Sequence, residues 1–468
     1  MICLPKQRYL PLLAVAAIIS NNVEAQSPSD VRSFEYDALG NLKVQRNSLL
    51  HTTKQDYDAL SRVKALIDPN EKRTEFEYDL SDQLTKVIDP RKVTTGYTID
   101  GLGKLSQLSS GDTGVTITQF DEAGNLVLST DAKKQTTQFK YDALNRIELI
   151  TYSDNSTVTY LYDQHENAIG RLSKIIDTSG SVTYEYDKLG NIISDTRVIG
   201  GSAYTTGYRY DQFGRLAGLD YPSGRKIDYG YDALGRVATI SSQKGGAIKS
   251  LVTDVSYVPF GGVEKITFGN GRFHLRTYDL DGRLESYTLN NKTMTLAYDS
   301  GNRLTRVADT ASPMTGTTYD YDKNERLISV ITPTLSQVYG YDDAGNRITK
   351  QINGSIKTLT YAPTSNRLTA VDAQPVSTDE NGSITNRGDG VFTYDVRGRL
   401  VSFEGASGLV TYSINALGQR VRKIAPTGTT VFHYDMDGKL IAESTTDGVN
   451  TNTQEYVYLG DIPVAVLK

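Results

Sequence analysis

The sequence predicts an all-β protein: a tandem array of β-hairpins joined edge to edge in one long sheet that curls on itself. Three observations carry that prediction. A tyrosine–aspartate pair recurs at a near-constant period along most of the 468 residues. The residues just before each pair alternate in polarity, the signature of a strand with one face buried. The residues just after it are the ones a tight turn requires.

The N-terminus differs from the rest. Lys6 and Arg8 precede an apolar run from Tyr9 to Ser20, and Val23-Glu24-Ala25 places small residues where a signal peptidase reads. Residues 1–25 read as a secretory signal, with cleavage between Ala25 and Gln26, and 26–33 as a short linker. The single Cys of the chain, Cys3, falls inside the signal, so no disulfide braces the mature protein. The expected location is outside the cytoplasm: periplasmic, cell-surface or secreted, in a bacterial host.

The repeat array then fills 34–468. Its first pair is Tyr36-Asp37, and copies at Tyr57, Tyr78, Ile99, Phe120, Tyr141 and Tyr162 each follow 21 residues after the last. More start at Tyr186, Tyr210, Tyr231, Tyr278, Tyr298, Tyr321, Tyr341, Tyr394 and Tyr434. Tyr257, Tyr361 and Tyr412 have lost the aspartate, and the copy at Asp379 has lost the tyrosine. Such regularity overrides any count of ordinary domains from length.

Each unit has a physical logic. In Thr74-Glu75-Phe76-Glu77-Tyr78 the aromatics share one face of a strand. The Asp that follows can accept backbone N–H bonds within the turn, and Gly or Asn three or four residues on can take φ > 0. The turn residues singled out are Tyr36, Asp37 and Gly40; Tyr141 and Asp142; Tyr186, Asp187 and Gly190; Tyr231, Asp232 and Gly235; Tyr394, Asp395 and Gly398. An Arg, Asn or Lys and a branched aliphatic open the return strand. Its aliphatics then come three apart, as in Leu84 and Val87 or Ile147 and Ile150, which calls for a bulge or burial of both faces. Asp68-Pro69-Asn70 and Asp89-Pro90-Arg91 mark turns between hairpins. Equivalent tyrosines are expected to line up as cross-strand neighbours.

The recurring Tyr-Asp-x-x-Gly-Arg-Leu unit resembles the Rhs or YD-repeat family, which includes bacterial Rhs toxins, toxin-complex C components and teneurins. The resemblance covers nearly all of 34–468. It implies a spiralling β-sheet that forms an open or partial hollow shell, enclosing a toxic C-terminal segment in the bacterial toxins. Residues 362–468 resemble the region just before the family's core. Within them Ser365-Asn366-Arg367-Leu368, Phe392-Thr393-Tyr394-Asp395 and Tyr456 to Ala465 carry the pattern. The family's aspartate–proline–x–glycine autocleavage motif is absent: Asp68-Pro69-Asn70-Glu71 and Asp89-Pro90-Arg91-Lys92 lack its glycine. A truncated or split member is the resulting expectation. Its last strand, with Ile462, Val464, Val466 and Leu467, would lack cover and leave the shell open at that end.

Searches for chemistry return little. His51, His165, His274 and His433 are scattered with no metal-ligand spacing, so no metal, cofactor or catalytic residue is expected. An aspartate that recurs in nearly every unit caps a turn rather than catalyses. Arg387-Gly388-Asp389 spells an adhesion tripeptide by chance, and sequons such as Asn155-Ser156-Thr157 matter only in a eukaryote. A net charge of −5 with no polybasic stretch argues against nucleic acid, and no long apolar run follows the signal, so the mature chain spans no membrane by helix. Two functions remain: a non-catalytic shell that holds a C-terminal core or toxin polypeptide, and a surface module that binds a cell-surface glycan.

Overall fold

The computed structural model describes residues 32–468 except 260 and 290. It holds forty-three strands and two short 3-10 turns. Each strand but one pairs antiparallel with the next in chain order, so the array is a meander. One expectation is corrected here. There are two sheets, of 33 and 10 strands, rather than one. The ladder breaks between Gln374–Pro375 and Ser377–Thr378. Pro375 has no N–H to give, and the Val376 N–H turns back to the Thr369 carbonyl at 2.8 Å.

The bulge is present and explains the three-residue spacing. In the hairpin of Arg73–Tyr78 and Leu84–Ile88, Phe76 faces Val87, but Tyr78 faces Leu84. One extra residue, Thr85, is absorbed between them. Leu84 and Val87 therefore share the face of Phe76 and Tyr78 despite their odd spacing. Ile147 and Ile150 stand opposite Tyr141 and Phe139 in the same way.

The sheet winds through more than one turn of a spiral, and the second coil sits on the first. Side-chain bonds join residues between 222 and 278 positions apart. They run in order along the seam. Ser48 bonds the Ser300 carbonyl, Asn324 bonds Asp68, and Arg91 reaches the Ala362 and Ser365 carbonyls at 2.7 and 3.0 Å. Further on, Asn381 bonds Asp131 at 2.6 Å, the Ala416 N–H bonds Asp177, and Tyr221 gives its hydroxyl to the Tyr456 carbonyl at 2.7 Å. The tyrosine–aspartate turns of the second coil thus rest on the inter-hairpin turns of the first.

The deepest core lies where the coils overlap. Tyr208, Leu219, Ile227, Ile240, Val252 and Ile266 from the first coil close on Ile441, Val457, Leu459 and Leu467 from the second. Each such buried side chain stabilises by about 1.5–3 kcal/mol. The expected uncovered last strand is therefore corrected in part. Leu467 is buried, and Ile462 and Val464 pack against the core; Val466 points away, 55% exposed. The cover comes from the earlier coil, which no local pattern near the last strand announces.

Candidate functional site

The repeated turn is built from its aspartate outward. Asp232 accepts the N–H groups of Leu234 and Arg236, each at 2.9 Å, through one carboxylate oxygen. The other accepts the Arg236 Nε–H, also at 2.9 Å. The Gly235 N–H bonds the Asp232 carbonyl at 3.0 Å, and Gly235 has φ +79°. Asp37 and Asp187 hold their turns alike with Asn41 and Asn191, and Gly40 and Gly190 both have φ +85°. Asp142 pairs with Arg146, and there Asn145 takes the left-handed corner at φ +57°. These bonds hold the carboxyls of Asp37, Asp142, Asp187 and Asp232 below the usual range. The main cause is the Asn side-chain bond in Asp37 and Asp187, and the backbone bond from Arg146 or Arg236 in the others.

The tyrosines do something other than align with each other. Each faces the aliphatic of its own return strand across the bulge, as Tyr36 faces Leu42 and Tyr231 faces Val237. In most units its hydroxyl reaches back one repeat to a backbone carbonyl at the bulge of the preceding return strand. Tyr141 bonds the Leu126 carbonyl at 2.9 Å, Tyr186 that of Leu172 at 2.7 Å, Tyr231 that of Leu216 at 2.8 Å, and Tyr394 that of Ile384 at 2.9 Å. Cross-strand alignment of tyrosines is corrected accordingly.

The arginine of the unit, which sequence reasoning treated as the start of a strand, completes the suture. Arg215 pairs with its own Asp211 and lies over the ring of the next tyrosine, Tyr231, 4.1 Å from the centroid. Arg146 over Tyr162 and Arg236 over Tyr257 repeat the arrangement at 4.2 and 4.5 Å. The signal was available: arginine follows the turn most often where a tyrosine heads the next unit. Its meaning needed the neighbouring hairpin.

Seen together, the turns are mortar, and the space they enclose is the candidate site. Beside the seam lies a hollow of about 1290 Å³. Its floor is the aromatic and aliphatic face of the first coil, including Tyr97, Phe139, Ile150, Tyr152 and Tyr160. Its roof comes from the second coil: a turn that carries Arg397, Gly398 and Arg399, and Arg420 at the start of the strand Arg420–Ala425. Of the turn residues singled out from the sequence only Gly398 lines it. Among the described residues no group of three or more His, Cys, Asp or Glu is placed to hold a metal. His433 is buried against Tyr204, ring centroids 4.6 Å apart, with Nδ1 unpartnered. Burial, then the Arg197 charge, push it down to about 4. No helix among the described residues is long and apolar enough to cross a membrane. Ala25 and Gln26 lie outside the described residues.

Comparison with known proteins follows this geometry. A Teneurin YD-shell family model matches residues 93–194 and 310–435, and an RHS Repeat model matches 57–95 and 210–247. The tRNA3(Ser)-specific nuclease WapA of Bacillus spizizenii and the tRNA nuclease WapA of Bacillus subtilis are each 32% identical over 126 residues, 26% of this chain and 5% of theirs. The Photorhabdus luminescens Tc holotoxin pore superposes with TM-score 0.77 at 16% identity, over 92% of this chain and 27% of that one. TcdB2-TccC3 without its hypervariable C-terminal region gives 0.77 at 17% identity, over 92% and 28%. The chain therefore spans about a quarter of the solved chains and a twentieth of the curated relatives. With its hairpin unit, its bulge and its stacked coils, the chain belongs to the Rhs/YD-repeat family.

Proposed function

We propose that this chain is the non-catalytic shell of an exported Rhs-type protein, and that its concave face holds a core or toxin polypeptide supplied by the same or another chain. The observation that carries the reading is the hollow itself. A sheet that served only as an outer binding surface would have no need to seat a second coil on the first. Here the seam closes one wall and leaves an aromatic-floored space beneath it. The match to shell-type family models, and the fold likeness to toxin-complex chains, support the same reading. Residues 1–25 serve as the export signal in this account, with Gln26 the first mature residue. N-terminal sequencing of exported protein checks that; a retained Met1 would refute it.

The test of the shell is protection. The chain is co-expressed with a toxin segment bearing a protease site. The segment should co-purify and resist digestion until the shell is unfolded. Rapid digestion of a co-purified segment would sink the reading. The glycan-binding alternative draws on the same tyrosine floor, and a glycan array showing saturable binding by the full chain would favour it instead.

A further inference from the structure

One repeat departs from the pattern, and it lies in the roof of the hollow. Elsewhere the arginine four residues after the aspartate pairs with it, as Arg236 does with Asp232. In the unit beginning at Tyr394, Arg397 takes that carboxylate instead, Nε to Asp395 Oδ2 at 3.0 Å. Arg399, which should have held it, gives Asp395 only its backbone N–H. The Arg399 guanidinium turns to the Asn415 carbonyl, and Arg397 reaches the adjacent Ile414 carbonyl at 3.3 Å. The second departure is in the next hairpin, whose turn Arg399 touches at Asn415. Arg420 stands opposite Ile414, where most units carry an aliphatic, and lies over Phe432 and Tyr412 at 4.8 and 5.6 Å.

Among the described residues neither Arg399 nor Arg420 has a carboxylate within ion-pairing distance. The acids in the lining are already occupied. Asp112 accepts both the N–H and the amide of Asn366, and Asp131 accepts from Gln135 and Asn381. Burial, with Arg397 beside it, holds the Arg399 guanidinium below the usual arginine range. Arg399 is half-buried and Arg420 exposed, and both line the hollow, so an anion entering it can reach guanidinium N–H groups that make no ion pair. The planar guanidinium fork matches a carboxylate.

We propose that Arg399 and Arg420 form an anion site in the hollow, which takes the carboxylate of an acidic side chain on the polypeptide held by the concave face. The inference rests on the shell reading and adds the chemistry of one contact. The occupant is assigned to a polypeptide because the hollow, at about 1290 Å³, is far larger than a free oxyanion and is floored by tyrosine, phenylalanine and threonine side chains that suit an extended chain.

The probes are two fluorescent decapeptides, alternating glycine with glutamate or with glutamine, titrated into the full chain by anisotropy. The glutamate peptide should bind at least about tenfold more tightly than the glutamine one, as hydrogen bonds to a charged group imply. The preference should shrink with salt. R399Q/R420Q should abolish it in a chain that still unfolds in one cooperative transition. Arg347→Gln, an arginine at the equivalent repeat position over Tyr339 but away from the hollow, should leave it intact. Equal binding of both peptides would overturn the arginine site and leave the shell reading standing. Binding of neither would overturn both. Inorganic phosphate or glucuronate competing as well as the glutamate peptide would show a free-oxyanion site and overturn the assignment to a polypeptide.

Discussion

A single residue class, the turn glycine, shows how far local chemistry reaches. Gly235 has φ +79°, and a Cβ there would meet only Arg215 Nη1, the far end of a flexible side chain, at 3.2 Å. The cost of replacing it is therefore backbone strain rather than a clash. Gly235→Val should destabilise by roughly 1–2 kcal/mol in calorimetric melting. Gly235→Asn should cost clearly less, because Asn145 holds the same corner at φ +57° in another unit. Equal losses would show that the position is kept for space, not conformation. These turns were legible in the sequence because every partner lies within four residues. His433 was not, since its burial depends on a strand far away in the chain. It titrates with a definite sign. Its folded pKa lies near 4, below the ordinary 6.5, so the unfolded chain takes up the proton first. The stability it permits is complete above 6.5 and lost as pH falls towards about 4. Asp435, raised by burial, has the opposite sign and gains stability as pH falls towards 3.8, offsetting part of the loss. His433→Phe keeps a ring against Tyr204 and removes the titration. The variant's melting temperature should depend less on pH between 6.5 and 4 than the wild type's.

At the scale of the hairpin, the bulge was readable and the tyrosine contact was not. Leu84 and Val87 announce an inserted residue by their spacing alone, a property of one strand. Where the hydroxyl of Tyr231 goes depends on which hairpin lies alongside and in what register. The structure ties units together twice at this point: by the Tyr231 bond to Leu216, and by Arg215 over the same ring. Tyr231→Phe should cost about 1 kcal/mol, the worth of one hydrogen bond. Arg215→Gln should cost a similar amount through the lost stack and the lost Asp211 pair, which is part-exposed and weak by itself. The double variant should lose less than the sum, since removal of either partner disturbs the same ring. Strict additivity would mean that the hydroxyl bond and the stack act independently.

For the whole molecule, repetition in the sequence foretold a curling sheet, but not where its coils would meet. That information is spread over residues more than two hundred positions apart and carries no period. Glu455 is the sharpest case. It sits on Thr451–Leu459, next to the strand expected to lack cover, yet its side chain is 1% exposed and accepts from Arg225 at 2.6 Å and from Ser223. Arg225 is buried too and also bonds Ser242 at 3.0 Å. The pair bridges the coils beside Val457 and Ile227, both fully buried. Glu455→Ala strands a buried guanidinium, and the expected loss is about 3–5 kcal/mol, far above any turn substitution. Because the coils hold one another, the effect should be felt on both sides of the seam. In hydrogen exchange the wild type should protect Thr451–Leu459 as well as Lys226–Tyr231. In Glu455→Ala both stretches should open together, while the early strands Val63–Ile67 and Arg73–Tyr78, bridged to other turns, keep their rates. If only the 451–459 stretch loosened, the last strands would be a passive flap on a self-sufficient first coil, and the seam would not be a structural element of the shell.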